Sequence, residues 1–262
     1  MSDTNTPDIN APAPVETKTV MMSRVQVRPE MRQWFSSGVP WLDKALGGKG
    51  FKRSQVVYLW GGPGSGKSTT AQMLADGLSK GGVQCLYNVN EEYHEQVRVR
   101  CDELGLKGEF YASAETDPKK VTKLAEELMA LNPGEPFVLV QDSLQTLNDG
   151  KWGDLSNSKT PERCLAHLFE WAKTSGATVL VIGHGTKGNV FAGAQKLKHM
   201  VDTFGGIVVD RKEKSETFGM RLLQFEKNRM GGVCDPVVLD MDRLKGGRLY
   251  DVGDAFDREL GD

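Results

Sequence analysis

The sequence has no excess of positive charge, and this absence limits how it can bind nucleic acid. Lysine and arginine total 33 against 35 aspartates and glutamates, which gives a formal net charge of -2. Proteins that bind DNA or an anionic membrane through their overall field normally carry a clear positive balance. Any contact with DNA must therefore come from a local group of basic residues.

Paired cysteines and long apolar runs are also lacking. The four cysteines, at positions 85, 101, 164 and 234, include no C-x-x-C pair, so neither a zinc site nor a disulfide framework has the required spacing. No apolar stretch approaches the roughly 20 residues that cross a bilayer. The first residues contain acids and prolines instead of a secretion signal. We therefore expect reduced thiols, a cytoplasmic location and no membrane segment.

The length of 262 residues suits one large α/β domain. Residues 1–20 are polar, include Pro7, Pro12 and Pro14, and contain too few large apolar side chains to offset the entropy lost on ordering. The sequence therefore predicts a disordered leader over 1–20, one folded domain over 21–254 and a C-terminal tail over 255–262.

Short apolar runs alternate with longer amphipathic stretches in the middle of the chain, which is typical of βα units and a mostly parallel sheet with helices on both faces. Asp117-Pro118 and Thr160-Pro161 are typical helix starts. The predicted helices cover 121–131 and 160–175. The predicted strands cover 56–60, 83–89, 109–112, 136–141 and 178–182, and then 206–210, 220–226, 237–241 and 248–252 as an antiparallel C-terminal extension.

A glycine-rich segment matches the phosphate-binding pattern G-x-x-x-x-G-K-[ST]. It lies between the predicted strand 56–60 and a helical stretch over 70–78, which is the context in which this pattern binds nucleotides. Glycines allow backbone N–H groups to face phosphates, and the following helix adds positive potential. We expect Lys67 to reach the β- and γ-phosphates of ATP, Ser68 to ligate Mg²⁺ and Thr69 to assist at the helix start. The predicted ATP-binding residues of this segment are Gly61, Gly62, Pro63, Gly64, Ser65, Gly66, Lys67, Ser68 and Thr69.

Two acidic residues follow predicted strands and would complete a site for nucleotide hydrolysis. Asp142 ends the apolar run 137–141 and is expected to hold the magnesium shell, although a strand-end aspartate can also cap the next turn. Glu91 follows the strand 83–89, at the edge where ligands bind in such sheets, and is expected to activate the attacking water. The adjacent Glu92 suits a helix dipole instead.

Several segments, in this order along the chain, resemble the RadA/Sms branch of RecA-like ATPases. The similarity covers about residues 35 to 252, and it implies a RecA-like P-loop fold. Lys227-Asn228-Arg229-Met230-Gly231 resembles the Lys-Asn-Arg-Phe-Gly signature of the family. The other segments are 37–39, 42–43, 47–48, the phosphate loop, 86–92, 142–146, 183–188, 192–193 and 199–203.

The resemblance implies an ATP-driven ring or filament that acts on single-stranded DNA in recombination, with ATP sites between neighbouring subunits. Lys227 and Arg229 would reach a neighbour's γ-phosphate in the manner of an arginine finger, or would merely line a polar edge strand. Gln145 and His184 would sense the γ-phosphate, or would satisfy hydrogen bonds at strand ends.

Two predicted loops, 148–159 and 186–198, leave the carboxyl edge of central strands and carry lysines beside glycines. The expected DNA contacts are Lys151, Trp152, Lys187 and Lys196. Trp152 would stack on a base or anchor its loop to the domain.

The sequence also departs from the family. The cysteine spacing of the family's N-terminal zinc module and the length of its C-terminal Lon-protease-like domain are not found, so we expect a stand-alone core. Met230 replaces the signature phenylalanine, and Asn88 and Asn90 interrupt a strand end that usually has small residues. These departures leave an alternative open: an oligomeric binding or regulatory module that is gated by nucleotide, hydrolyses ATP slowly and does not contact DNA.

Overall fold

A large, mostly parallel sheet organises the chain. The computed structural model describes residues 20–151, 159–185 and 194–253. Within these ranges nine strands form one sheet in the order β11-β10-β9-β8-β3-β7-β6-β4-β5, and β1 (Trp34–Phe35) pairs separately with β2 (Phe51–Lys52). The strands of the sheet are β3 (Val56–Gly61), β4 (Gln84–Val89), β5 (Tyr111–Ser113), β6 (Phe137–Asp142), β7 (Thr178–His184), β8 (Thr203–Val209), β9 (Arg221–Asn228), β10 (Val237–Asp242) and β11 (Arg248–Asp251).

Two of the helices have the end signals that the sequence indicates. Asp117 caps its helix by accepting a hydrogen bond from the Lys119 amide at 2.9 Å, and Gly176 ends another helix in a left-handed conformation. In the described residues none of the helices is long and apolar enough to cross a membrane. The helices are α1 (Pro40–Ala45), α2 (Lys67–Lys80), α3 (His94–Glu103), α4 (Pro118–Met129), α5 (Thr160–Ser175) and α6 (Ala194–Met200).

The antiparallel extension starts one strand later than the sequence suggests. We predicted a strand over 206–210 as part of it, but β8 begins at Thr203 and lies parallel to β3. The antiparallel strands are β9, β10 and β11. The reason is the short α6, which returns the chain so that β8 enters the sheet in the same direction as its neighbour β3. The predicted leader, apart from Val20, and the predicted tail lie outside the described residues.

Helices cover both faces of the sheet, as predicted. Successive side chains of a strand point to opposite faces of the sheet. In β3, Val57 and Leu59 pack into one hydrophobic cluster, and Val56 and Tyr58 pack into the other. The first cluster contains residues of α1, α2 and α3, and the second contains residues of α4, α5 and α6. The sheet therefore supplies a rigid centre whose strand ends can position functional groups.

Asp202 holds the amino ends of β3 and β8 together. Its carboxylate accepts a hydrogen bond from the Val56 amide at 2.9 Å and pairs with the ammonium of Lys173 on α5. Lys173 also donates to the Ser54 carbonyl at 2.6 Å. The Asp202 side chain is only 4% exposed, so its charge depends on these partners for compensation.

We therefore expect Asp202→Ala to lower the free energy of unfolding by about 3 kcal/mol, because the Lys173 ammonium and the Val56 amide would lose their acceptor. Urea denaturation measures this change. Asp102→Ala is the matched control, since Asp102 also pairs with a cation, Arg98, but is 60% exposed. Equal stability of the two variants would contradict the role given to Asp202.

Candidate nucleotide site

The phosphate loop connects β3 to α2, in the position that the sequence predicts. Gly61 ends the strand, and a side chain there would meet the Ile207 carbonyl oxygen at 2.6 Å from the added carbon. Gly66 precedes the helix with a φ of 101°, a conformation that glycine adopts without strain. The Thr70 hydroxyl donates to the Gly66 carbonyl at 2.9 Å and fixes the first turn. Backbone geometry therefore explains why both ends of the loop are glycines.

The loop has the features of a phosphate cradle. Carbon atoms added to Gly62 or Gly64 would meet no atom within 4 Å, so the backbone there can be approached closely. The Ser65 hydroxyl is buried and, within the described part of the chain, has no hydrogen-bond partner. An unpaired buried hydroxyl costs free energy unless a ligand completes its bonding. These observations fit a bound nucleotide phosphate.

Lys67, the first residue of α2, lies at the end of this loop, near two carboxylates. Its ammonium donates to the Gly62 carbonyl at 3.0 Å, and the residue is only 7% exposed. Burial lowers the pKa of Lys67, while the charges of Asp142 and Glu91 oppose that effect. The predicted catalytic residues Lys67, Asp142 and Glu91 are thus brought together in space. Thr69, on the first turn of α2, is buried as well.

Asp142 ends β6 and is nearly buried, with 4% of its surface exposed. The Tyr87 hydroxyl donates to its Oδ2 atom at 2.8 Å, and the Ser68 hydroxyl lies nearby. Burial raises the pKa of Asp142, and the hydroxyls of Tyr87 and Ser68 act in the opposite direction. Mg²⁺ is usually held by one or two protein oxygens, with phosphate and water oxygens as its other ligands. The oxygens of Ser68 and Asp142 fit that requirement.

Glu91 follows β4 and lies at the same edge of the sheet. Its Oε1 atom accepts hydrogen bonds from the Ser143 hydroxyl at 2.7 Å and from the His184 ring at 2.8 Å. Burial alone would raise its pKa, but these two hydrogen bonds and the charge of Lys67 lower the pKa of Glu91 below its ordinary value. Glu91 is therefore a charged carboxylate near Lys67. The neighbouring Glu92 instead pairs with Arg100 of α3 at 2.8 Å.

A buried polar network supports this edge, and sequence reasoning missed it. Asn88 donates to Gln141 at 2.7 Å across the β4–β6 pair, and its own oxygen accepts from the Ser113 hydroxyl at 2.7 Å. Gln141 donates to the Ser143 carbonyl at 3.0 Å, which links the network to the residue that contacts Glu91. Asn88 is therefore a structural component of the strand end. The sequence feature that could have indicated this network is the presence of polar residues at the ends of neighbouring strands.

The Gln145 side chain contacts the backbone of His184. The Gln145 side-chain oxygen accepts a hydrogen bond from the His184 amide at 3.4 Å. The Gln145 side-chain nitrogen is buried and lies beside the Tyr58 hydroxyl in the core. The nucleotide contact expected of Gln145 stays a prediction, because a nitrogen buried in this position would have to move to reach a ligand.

Lys227 and Arg229 lie at the opposite edge of the sheet from their own phosphate loop. Lys227 pairs in register with Phe204, which in turn pairs with Tyr58 of β3, so the loop beyond Gly61 is about 10 Å further along the strand. The Lys227 ammonium donates to the carbonyls of Lys198, at 2.6 Å, and Val201 at the end of α6. The Arg229 side chain is 56% exposed and stays 3.9 Å from Asp202. Neither residue can serve the site of its own chain.

Of the four predicted DNA contacts, the described residues include two. Lys151 is exposed, as a DNA-binding residue must be. Lys196 is also exposed, but the prediction of a loop over 186–198 is wrong at its end, since Lys196 lies on α6. The helix forms there because residues 194–200 bury Leu197 against the second cluster. Trp152 and Lys187 lie outside the described residues.

Acidic side chains accompany both described lysines. Lys196 forms an ion pair with Glu162 in the first turn of α5. The backbone amide of Lys151 donates to Asp149, whose carboxylate pairs with Arg163 of the same helix turn. Both lysines thus stand beside the amino end of α5.

Comparison with known proteins identifies the family. Residues 35–237 match the family model described as "ATPase: KaiC". The chain belongs to the KaiC ATPase family. This match covers the phosphate loop, Glu91, Asp142 and the strands that carry them, and it confirms the predicted RecA-like P-loop fold.

This KaiC-family chain also resembles curated proteins named DNA repair protein RadA, which confirms the resemblance stated from the motifs. It is 31% identical over 218 residues to the RadA of Halalkalibacterium halodurans, covering 82% of this chain and 45% of that protein. It is 33% identical over 201 residues to the RadA of Streptococcus pneumoniae, covering 76% of this chain and 45% of that protein. The chain spans about half the length of the curated relatives that it matches.

Solved structures show the same fold at lower sequence identity. The ATPase domain of G40P aligns with a TM-score of 0.69 and 16% identity, covering 82% of this chain and 90% of that chain. A KaiC-like protein from Pyrococcus horikoshii aligns with a TM-score of 0.66 and 17% identity, covering 83% and 99%.

We expect Lys227→Met to speed amide hydrogen exchange in α6 by about tenfold, because the last carbonyls of the helix would lose a charged donor. Exchange measured by mass spectrometry over residues 194–201 tests this. Arg229→Met is the control, since Arg229 does not contact these carbonyls. Unchanged exchange in the Lys227 variant would show that the ammonium does not stabilise α6.

Proposed function

We propose that this protein binds ATP with Mg²⁺ and hydrolyses it as a RadA-like, DNA-dependent ATPase that acts on single-stranded DNA in recombination or repair, in the cytoplasm. The observation that carries the proposal is the meeting of Lys67, Asp142 and Glu91 at one sheet edge. Each supplies a different requirement of phosphoryl transfer: a cation for the phosphates, a carboxylate for the metal and a group for the water. The named RadA relatives support the choice of DNA repair.

Each residue of the site has a different role in hydrolysis. Backbone amides of the phosphate loop and the Lys67 ammonium bind the phosphates, and Ser68 and Asp142 hold Mg²⁺. Magnesium, when bound, neutralises charge on the phosphate oxygens. Glu91 is charged and accepts hydrogen bonds, so it can orient a water and receive its proton.

Assembly follows from the positions of Lys227 and Arg229. Both lie at the sheet edge opposite their own phosphate loop, so a role at a γ-phosphate requires a neighbouring subunit. We infer a homo-oligomer, ring or filament, in which these cations complete the site of the next chain and couple hydrolysis to assembly. Arg229 is exposed and would be available to a neighbour without prior rearrangement.

Single-stranded DNA would bind near the amino end of α5. Lys151 and Lys196 supply local positive charge in a chain with a net charge of -2, and Trp152 and Lys187 belong to the same predicted segments. Phosphate contacts through lysines give affinity that depends on salt.

A second candidate is a nucleotide-gated oligomeric binding module with slow hydrolysis. The observation that favours it is the engagement of Glu91, whose Oε1 atom accepts hydrogen bonds from both Ser143 and His184. With Oε1 engaged, only Oε2 of Glu91 can accept a proton from the water. If Oε2 does not face the water, hydrolysis is slow.

We expect the purified protein to hydrolyse ATP faster with single-stranded DNA than without it. Lys67→Ala should lose about 100-fold in turnover together with nucleotide binding, because the phosphates lose their cation. Glu91→Gln should lose about 100-fold in turnover but keep nucleotide binding. Steady-state phosphate release and binding of a fluorescent ATP analogue measure these effects. Tight ATP binding with turnover that ignores DNA would favour the binding module instead.

We expect the double variant Lys151→Ala/Lys196→Ala to bind single-stranded DNA more weakly, and its affinity should depend less on salt. Removing two phosphate contacts should make the slope of log affinity against log salt shallower by about 1.4. Fluorescence anisotropy across a salt series measures the slope. Lys107→Ala/Lys245→Ala removes two exposed lysines elsewhere and is the matched control. Identical slopes for the two double variants would refute this DNA interface.

A further inference from the structure

The carboxylate of Glu91 is held on one side by two other elements. The Ser143 hydroxyl, directly after β6, and the His184 ring, at the end of β7, both bond to Oε1, at 2.7 and 2.8 Å. Among the described residues, no hydrogen bond to the second oxygen, Oε2, is found. The side chains of Glu91 and His184 are 42% and 39% exposed, so both could change rotamer if these hydrogen bonds did not hold them.

The backbone of His184 is fixed to the phosphate loop. The amide of the next residue, Gly185, donates to the carbonyl of Gly61, the first loop residue, at 2.9 Å. The His184 amide itself donates to the Gln145 side chain at 3.4 Å. Since β7 lies directly beside β3, the imidazole is placed by the same backbone that sets the phosphate position. It can therefore keep Glu91 at a constant distance from a bound nucleotide.

We propose that His184 is a positioning residue for Glu91, which together with Ser143 fixes one carboxylate oxygen so that the other faces the attacking water. This inference rests on the proposed function, in which Glu91 activates that water. A positioned base works only within hydrogen-bond reach of the proton that it accepts, and small displacements cost large factors in rate. A histidine that merely satisfied a strand end would affect folding and not the chemical step.

The expected result separates turnover from substrate binding. His184→Ala should lower kcat about tenfold and change KM for ATP by less than about twofold, since the imidazole contacts the base and not the phosphate loop. His184→Gln, which keeps a side-chain donor, should recover most of the loss. Ser143→Ala should also lower kcat, because it removes the other hydrogen bond to Oε1.

His167→Ala is the matched control. His167 also bonds through its ring, to the Thr122 hydroxyl at 3.1 Å, but lies between α4 and α5, away from the site. Its removal should leave kcat unchanged, and thermal melting of all variants identifies any that fold poorly. His184→Gln keeps the test valid if the alanine variant is unstable.

A double-mutant cycle with Glu91→Gln decides whether His184 acts through the base. If it does, adding His184→Ala to Glu91→Gln should cost less than about twofold in kcat. A full tenfold loss in the Glu91→Gln background, a change confined to KM, or unchanged kcat in His184→Ala would overturn the inference. Turnover of Glu91→Gln equal to that of the unsubstituted protein would refute the proposed role of Glu91 itself, and this inference with it.

Discussion

The parallel pairing of β3 with β7, and of β7, β6 and β4 in turn, is the constraint on which the rest of the structure depends. Parallel strands end at the same edge, so Gly61, His184, Asp142 and Glu91, which are far apart in sequence, lie within one site. The same constraint places the amino ends of the strands at the other edge, where Asp202 joins β3 to β8. A single strand direction thus separates the edge of the proposed nucleotide site from the edge that bears Lys227 and Arg229.

Burial gives the nucleotide site a charge arrangement that a ligand would complete. Removal from water lowers the pKa of Lys67 and raises that of Asp142, so each group is less favourably charged than it would be in solvent. Their mutual attraction offsets part of this cost. Phosphate oxygens beside Lys67 and a divalent cation beside Asp142 would offset the remainder, so the same burial would favour a bound nucleotide with its metal.

Local patterns were sufficient to predict the fold class, the position of the glycine-rich loop between a strand and a helix, and the position of Asp142 at a strand end, because each depends on a few adjacent residues and the strand or helix beside them. The contact between His184 and Glu91 joins residues 93 positions apart, and nothing in either local sequence specifies that distance. Asn88 misled sequence reasoning for the same reason, since its partners Gln141 and Ser113 come from neighbouring strands. The direction of β8 also depended on a short helix, α6, that local pattern did not reveal.

The two cations at the far edge differ in how tightly their own chain holds them, and this difference bears on assembly. Lys227 neutralises carbonyls at the end of α6, where burial lowers its pKa and those carbonyls provide its hydrogen bonds. Arg229 keeps only a 3.9 Å contact with Asp202, whose charge is already compensated by Lys173. Release of Lys227 to a neighbour would leave helix carbonyls unpaired, whereas release of Arg229 would leave no buried group without a partner. In an oligomer, Arg229 is therefore the cation that can reach an adjacent phosphate at lower cost, and Lys227 serves first to hold α6.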